Sequence, residues 1–203
     1  MAADTRRVFP EKGAYEDGQS NLVRINEFTW LAAAGSFPVA GEIASRTVNA
    51  FRQVFEERKV DPMLLLESEA TVRDMLTQAY NQVRGESLPT AHILIGGVSD
   101  GDEPYLVVFS STSGFHLKII REPFTAACLD LPKPLDEEIK ASLSPLKNRL
   151  SKEPLEERRL KAATAALRNT LAQVAAGSTY FAPEGEIVVI SAKGSILTPI
   201  KPK

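Results

Sequence analysis

The sequence predicts an α+β protein in which paired helices cover the outer faces of two packed antiparallel sheets. Three observations carry this reading. Strand-like runs come in consecutive groups separated by turn chemistry, so neighbours can pair antiparallel. Helical periodicity comes in two pairs. The resulting order is β-β-β, α-α, β-β-β, α-α, β-β, without internal repeat, low-complexity tract or flexible linker, so residues 1–203 read as one domain.

The first group runs from Ala2 to Ile25 as strand, loop and strand. Pro10, Gly13 and Asp17-Gly18 supply the turns, and Leu22–Ile25 supplies an alternating run. "TWLAAAG" (Thr29–Gly35) is a short apolar strand stopped by glycine. From Val39 to Lys59 the apolar residues Val39, Ile43, Val48, Phe51, Val54 and Phe55 recur at the spacing of a one-faced helix. Asp61-Pro62 opens a second helix, because proline fits the first helical position. Val72, Met75, Leu76, Ala79, Tyr80 and Val83 form its buried stripe, and Gly85 is placed to cap it.

"AHILIGG" (Ala91–Gly97) is almost continuously apolar, as expected of a strand covered on both faces. "SDGDEP" and "STSG" are turns, "YLVVFS" and "FHLKII" are strands, and Ala91–Ile120 reads as an antiparallel meander. Two further helices are predicted at Leu135–Leu150 and Leu155–Ala176, the second with Leu160, Ala163, Leu167, Leu171 and Val174 on one face. "EIVVIS", "AKG" and "SILTPI" close the chain as a hairpin.

Hydrophobic content of 43% and charged content of 25% place the chain among ordinary globular proteins rather than disordered ones. A net charge of −2, from 24 basic and 26 acidic residues, gives no reason to expect nucleic acid or an anionic membrane as partner. No apolar run approaches the roughly 18 residues of a membrane helix. The N-terminus has no apolar signal core, so the cytoplasm is the expected compartment. The single cysteine, Cys128, excludes an internal disulfide and a cysteine-based zinc cluster. No cofactor or metal motif is found.

Candidate chemistry is sparse. His92 lies in an apolar strand and His116 in an alternating one, neither with a Ser or Cys partner in a known motif. Cys128, in "TAACLD", has the surroundings of a packed hydrophobe. There is no G-x-S-x-G, P-loop, G-x-G-x-x-G or H-E-x-x-H. "EERRLKAA" reads as a solvated helix face, its bases interleaved with acids. Asp4, in "AADTRR", reads alone as a charge at a strand end.

Taken together, "MAADTRR", "NLVRINEFTWLAAAGS", the helix pair and "HILIGGVSDGDEPYLVVFSSTSGF" resemble a proteasome β-type subunit, a member of the N-terminal-nucleophile hydrolases. The match in order and spacing covers about residues 1–120, and beyond Arg121 only the order of elements agrees. The resemblance implies a four-layer αββα sandwich and a homo-oligomer, in the family a stacked ring. It implies threonine chemistry, in which an N-terminal hydroxyl attacks a carbonyl with its own α-amine as base. Asp4 matches the family's aspartate.

The departures matter equally. The family's lysine falls near Ser20-Asn21, where none exists; its G-S-G loop would fall near "FTAACLD"; its D-x-x-S-G element would fall near "GSTYFAPEGE". No threonine stands at the start. The expectation is therefore a proteasome-like protein without peptidase activity, acting as an assembly or binding subunit. The alternative is a threonine-type peptidase or amidohydrolase whose nucleophile sits on a strand ahead of Met1. Asp4 would then be catalytic, and a peptide or protein the substrate. A third reading is an unrelated α+β binding module in which His92, His116 and Cys128 carry the function.

Overall fold

Turn residues and alternation set the strand boundaries, and the apolar stripes set which faces meet. The computed structural model describes residues 1–4, 7–9, 14–16, 20–36, 39–56, 58–84, 88–120, 133–177, 182 and 184–200. The first strands are β1 (Ala2–Asp4), β2 (Arg7–Phe9), β3 (Ala14–Glu16), β4 (Leu22–Asn26) and β5 (Thr29–Gly35). Helices α1 (Val39–Phe55), α2 (Pro62–Glu67) and α3 (Glu69–Val83) follow, then β6 (Ala91–Val98), β7 (Pro104–Ser110) and β8 (Lys118–Ile120). The chain ends with α4 (Lys133–Lys152), α5 (Glu156–Gly177), β9 (Gly185–Ser191) and β10 (Gly194–Ile200).

A five-stranded antiparallel sheet in the order β4-β5-β6-β7-β8 forms the centre. Its register aligns Leu31 with Ile95 and Ile95 with Val107. One row therefore presents large aliphatic side chains to the outer face. There Leu31, Ile93, Ile95, Val107 and Phe109 meet Ile43, Val48 and Phe51 of α1 and Leu76 and Ala79 of α3. The buried residues of α1 recur at three- and four-residue intervals, so burial of one stripe, more than intrinsic propensity, holds the helix. Thr47 lies within that stripe and satisfies its hydroxyl on Ile43 O at 2.8 Å.

The inner face carries the opposite row, Leu22, Trp30, Ala32 and Leu94, which packs on Val188 of β9 with Met1, Ala3 and Ile190 at the margin. A second antiparallel sheet, β1-β9-β10, supplies this cover. Helix α5 lies against β1 and β9. A Cβ on Gly185 would stand 2.7 Å from Ala3 O and 3.0 Å from Leu171 Cδ1, so glycine is needed for this close approach. Burial on both faces explains why Ala91–Val98 reads as apolar throughout.

The structure corrects three expectations. Residues 7–9 and 14–16, expected within a loop, are strands, because β2 and β3 pair antiparallel with Val8 opposite Tyr15. The helix opened by Asp61 is two helices. Asp61 caps α2 by accepting from Met63 N at 2.8 Å, but the backbone leaves the helical region at Ser68 (φ −94°, ψ 9°). The break sets Glu69 in the first turn of α3, where a carboxylate complements the helix N-terminus. That helix ends at Arg84 in ordinary helical geometry, and Gly85 lies outside the described residues. Finally, the strand expected over 115–120 begins only at Lys118. Gly114 and Phe115 both take positive φ (63° and 58°), which turns the Phe115 ring into the core against Tyr80 at 5.6 Å, edge-on.

Candidate functional site

One end of the two sheets gathers the residues that the resemblance singles out. Asp4, the last residue of β1, pairs with Gly185 at the start of β9. Ser20 lies two residues before β4. Its hydroxyl hydrogen-bonds to the Glu186 carboxylate and stands 2.7 Å from Leu22 O, while accepting from Leu22 N at 3.2 Å. Asn21 O receives Ala33 N at 3.3 Å, which ties this entry segment to β5. Gly35 ends β5 at φ +116°, and a Cβ there would fall 2.2 Å from Thr90 O. Ser36 N donates to the same Thr90 O at 2.9 Å.

Strand alternation adds a residue to this end. His92 shares the inner face with Leu94 and pairs with Ala34 on one side and Ser110 on the other. Glu186 shares the inner face of β9 with Val188 and Ile190. Ser20, His92, Ser110 and Glu186, all half-buried, thus fringe the space between the sheets where the apolar inner core gives way. Carboxylate, imidazole and hydroxyl groups at one end of the sheets can bind a polar ligand or move a proton. Ser110 is already engaged, its hydroxyl 2.7 Å from Thr112 Oγ1.

Glu186 and the position of His92 were legible only through period-two alternation. "EIVVIS" sets Glu186 in phase with Val188, and "AHILIGG" sets His92 in phase with Leu94. No motif marks either residue.

His116 is placed elsewhere. It is exposed on the turn before β8, with Nδ1 3.2 Å from Glu69 Oε1 and 3.4 Å from Arg73 Nη1. Glu69 also accepts from Leu117 N at 3.2 Å. The hydrogen bond from His116 and then that from Leu117 hold the Glu69 carboxyl below its ordinary range. No hydroxyl or thiol contacts this group among the described residues, so it joins the start of α3 to the turn rather than forming a nucleophilic site. Cys128 and the segment "FTAACLD" lie outside the described residues, as does most of "GSTYFAPEGE" before Gly185.

Among the described residues there is no cluster of three or more His, Cys, Asp or Glu side chains able to hold a metal ion. No helix among them is long and apolar enough to cross a membrane. In comparisons with known proteins, no family model matches the chain, and no curated protein sequence matches it significantly.

Proposed function

We propose that this chain is a proteasome-like protein of the N-terminal-nucleophile fold that serves as a cytoplasmic assembly or binding subunit rather than a peptidase. The four-layer αββα reading is supported by α1 and α3 on the outer face of one sheet, α5 on the other sheet, and the Trp30–Val188 core between them. The observation that carries the reading is the Ser20–Glu186 hydrogen bond. The resemblance expects a lysine at Ser20-Asn21, where a cation would lower the cost of negative charge on a nucleophile and on the reacting carbonyl. Ser20 stands there instead, hydrogen-bonded to the Glu186 carboxylate, whose negative charge raises that cost. The site then favours binding over acyl transfer, and the family likeness favours a homo-oligomer.

The test is light scattering on the full chain together with treatment by an acylating β-lactone read by intact mass. An oligomer without covalent adduct is the expected result. A stoichiometric adduct, or hydrolysis of fluorogenic peptides, would overturn the reading.

A second reading is favoured by one observation: among the described residues, β1 pairs only with β9 and leaves its other edge open. Met1 already continues that ladder, donating to Val188 O at 2.8 Å and accepting from Val188 N at 2.9 Å. A preceding strand bearing Thr, Ser or Cys would complete the sheet and make Asp4 a member of a threonine-type site. N-terminal sequencing of the protein made from its native locus decides it. A mature chain with such a residue ahead of "AADTRR" establishes this second reading, and one starting at Met1 or Ala2 removes it.

A further inference from the structure

The α4–α5 helix pair carries an unclaimed surface. Between α4 and α5 lies an open groove of about 540 Å³. Leu146 and Leu150 line it from α4, and Ala162, Ala165 and Ala166 from α5. Leu146, Arg149 and Leu150 of α4, with Glu153 just past its end, and Arg158, Lys161, Ala162 and Ala165 of α5 recur at i, i+3, i+4 and i+7, one face of each. Alanines keep the floor low, so that a third helix could approach at the 8–10 Å usual for packed helices.

The rim of the groove is cationic. Arg149, Arg158 and Lys161 flank it, against one carboxylate, Glu153. Glu153 is turned to its own backbone and accepts from Leu155 N at 3.2 Å. None of the three cations forms an ion pair among the described residues. The wider hairpin shares this bias: seven basic and three acidic residues fall between Leu146 and Asn169, in a chain of net charge −2. An apolar trough edged by unpaired cations is complementary to an amphipathic segment edged by carboxylates.

We propose that the α4–α5 groove docks an acidic amphipathic helix of a partner protein, its apolar stripe on Leu150 and the alanines and its carboxylates on Arg149, Arg158 and Lys161. This proposal stands apart from the oligomer and site readings above, since it uses none of their residues.

The probe is a fluorescent synthetic peptide of about 18 residues, long enough to hold a helix alone, with Leu and Ala on one face and Glu on both flanks. Its control has Gln for every Glu. Anisotropy titrations use the full chain. The Glu peptide is expected to bind saturably, about tenfold tighter than its control, and to lose about tenfold when Arg149→Gln, Arg158→Gln and Lys161→Gln are combined. Its affinity should also fall as salt is raised. The three cations are exposed, so unchanged thermal melting of the variant shows that folding is intact. Equal binding of both peptides, binding by neither, or indifference to the triple substitution overturns the proposal. So does a homodimer of the protein alone, seen by sedimentation, that Ala165→Arg abolishes, because the groove would then belong to a second copy.

Discussion

Ser20 hydrogen-bonds to the carboxylate of Glu186, a residue 166 positions away in sequence, and so fastens the entry of β4 onto β9. Hydrogen bonds to charged groups contribute about 1.5–3 kcal/mol when buried, and this half-buried pair falls at about 1 kcal/mol. Ser20→Ala and Glu186→Ala should each lower stability by about that amount in urea unfolding. The double variant should cost less than the sum of the two, because the shared bond is lost only once. Ser20→Lys, which restores the cation the family likeness expects, should retain stability through an ion pair with Glu186. Additive single losses would remove the bond from the account.

The two sheets are joined by a second polar tie. Trp30 Nε1 donates to Ser195 Oγ at 2.8 Å, across the inner core from β5 to β10. Ser195→Ala leaves the indole N–H without this acceptor at a site where Trp30 is 6% exposed, at a cost of about 1–2 kcal/mol. Trp30→Ala also empties the space between the sheets, and about 3–5 kcal/mol is expected. Trp30 is the single tryptophan, so its emission reports that interface alone. Its red shift in urea should coincide with loss of far-UV ellipticity. A shift at lower urea would show the sheets parting before the helices melt.

The Glu69 cluster makes a pH prediction. The carboxyl is held below its ordinary 4.5, first by the hydrogen bond from His116 and then by that from Leu117 N. A depressed folded value means that the unfolded chain binds the proton more readily. Its contribution is therefore complete above pH 4.5 and is lost as pH falls through the lower folded value. Glu69→Gln should lower stability near neutrality, where the carboxylate contributes, leave it little changed at the acid end, and so flatten the acid limb of stability against pH. Chemical denaturation at stepped acid pH measures this, and an unaltered acid limb would show that Glu69 has no such linkage.

Most elements were legible because their periodicity is strong. The stripe Val72–Val83 and the doubly covered run Ala91–Gly97 appear where the pattern put them. The misplaced boundaries have local causes that apolar patterning does not encode. Phe115 leaves the ladder through two successive positive-φ residues to reach Tyr80, and Ser68 breaks a helix whose apolar phase runs on. The candidate site was less legible for a physical reason: Asp4, Ser20, His92 and Glu186 come from four separate segments that strand register brings to one end of the sheets. The likeness to proteasome subunits drew attention to Asp4 and Ser20, whereas His92 and Glu186 needed the pairings of β6 and β9 to be placed.

One tight spot in the outer core should respond to paired substitution. Tyr105 is 4% exposed and Thr29 fully buried, and among the described residues neither hydroxyl has a hydrogen-bond partner of ordinary geometry. Burial pushes the Tyr105 phenol far above its ordinary range, with the nearby Thr29 offsetting only part. A Cβ added at Gly97 would stand 2.6 Å from the Tyr105 hydroxyl, 2.8 Å from Cζ and 3.0 Å from Phe28 O. Gly97→Ala should therefore destabilise by about 1–3 kcal/mol through overpacking. Tyr105→Phe removes an unsatisfied buried hydroxyl and should be neutral or stabilising by up to about 1 kcal/mol. Combining them relieves the closest clash but not those with the ring carbon and the Phe28 carbonyl. The double variant should recover part of the Gly97→Ala loss and no more. Full recovery would mean that the hydroxyl alone sets the limit, and strict additivity would mean that the ring moves aside at no cost. Urea midpoints of the four proteins at constant m-value distinguish these outcomes.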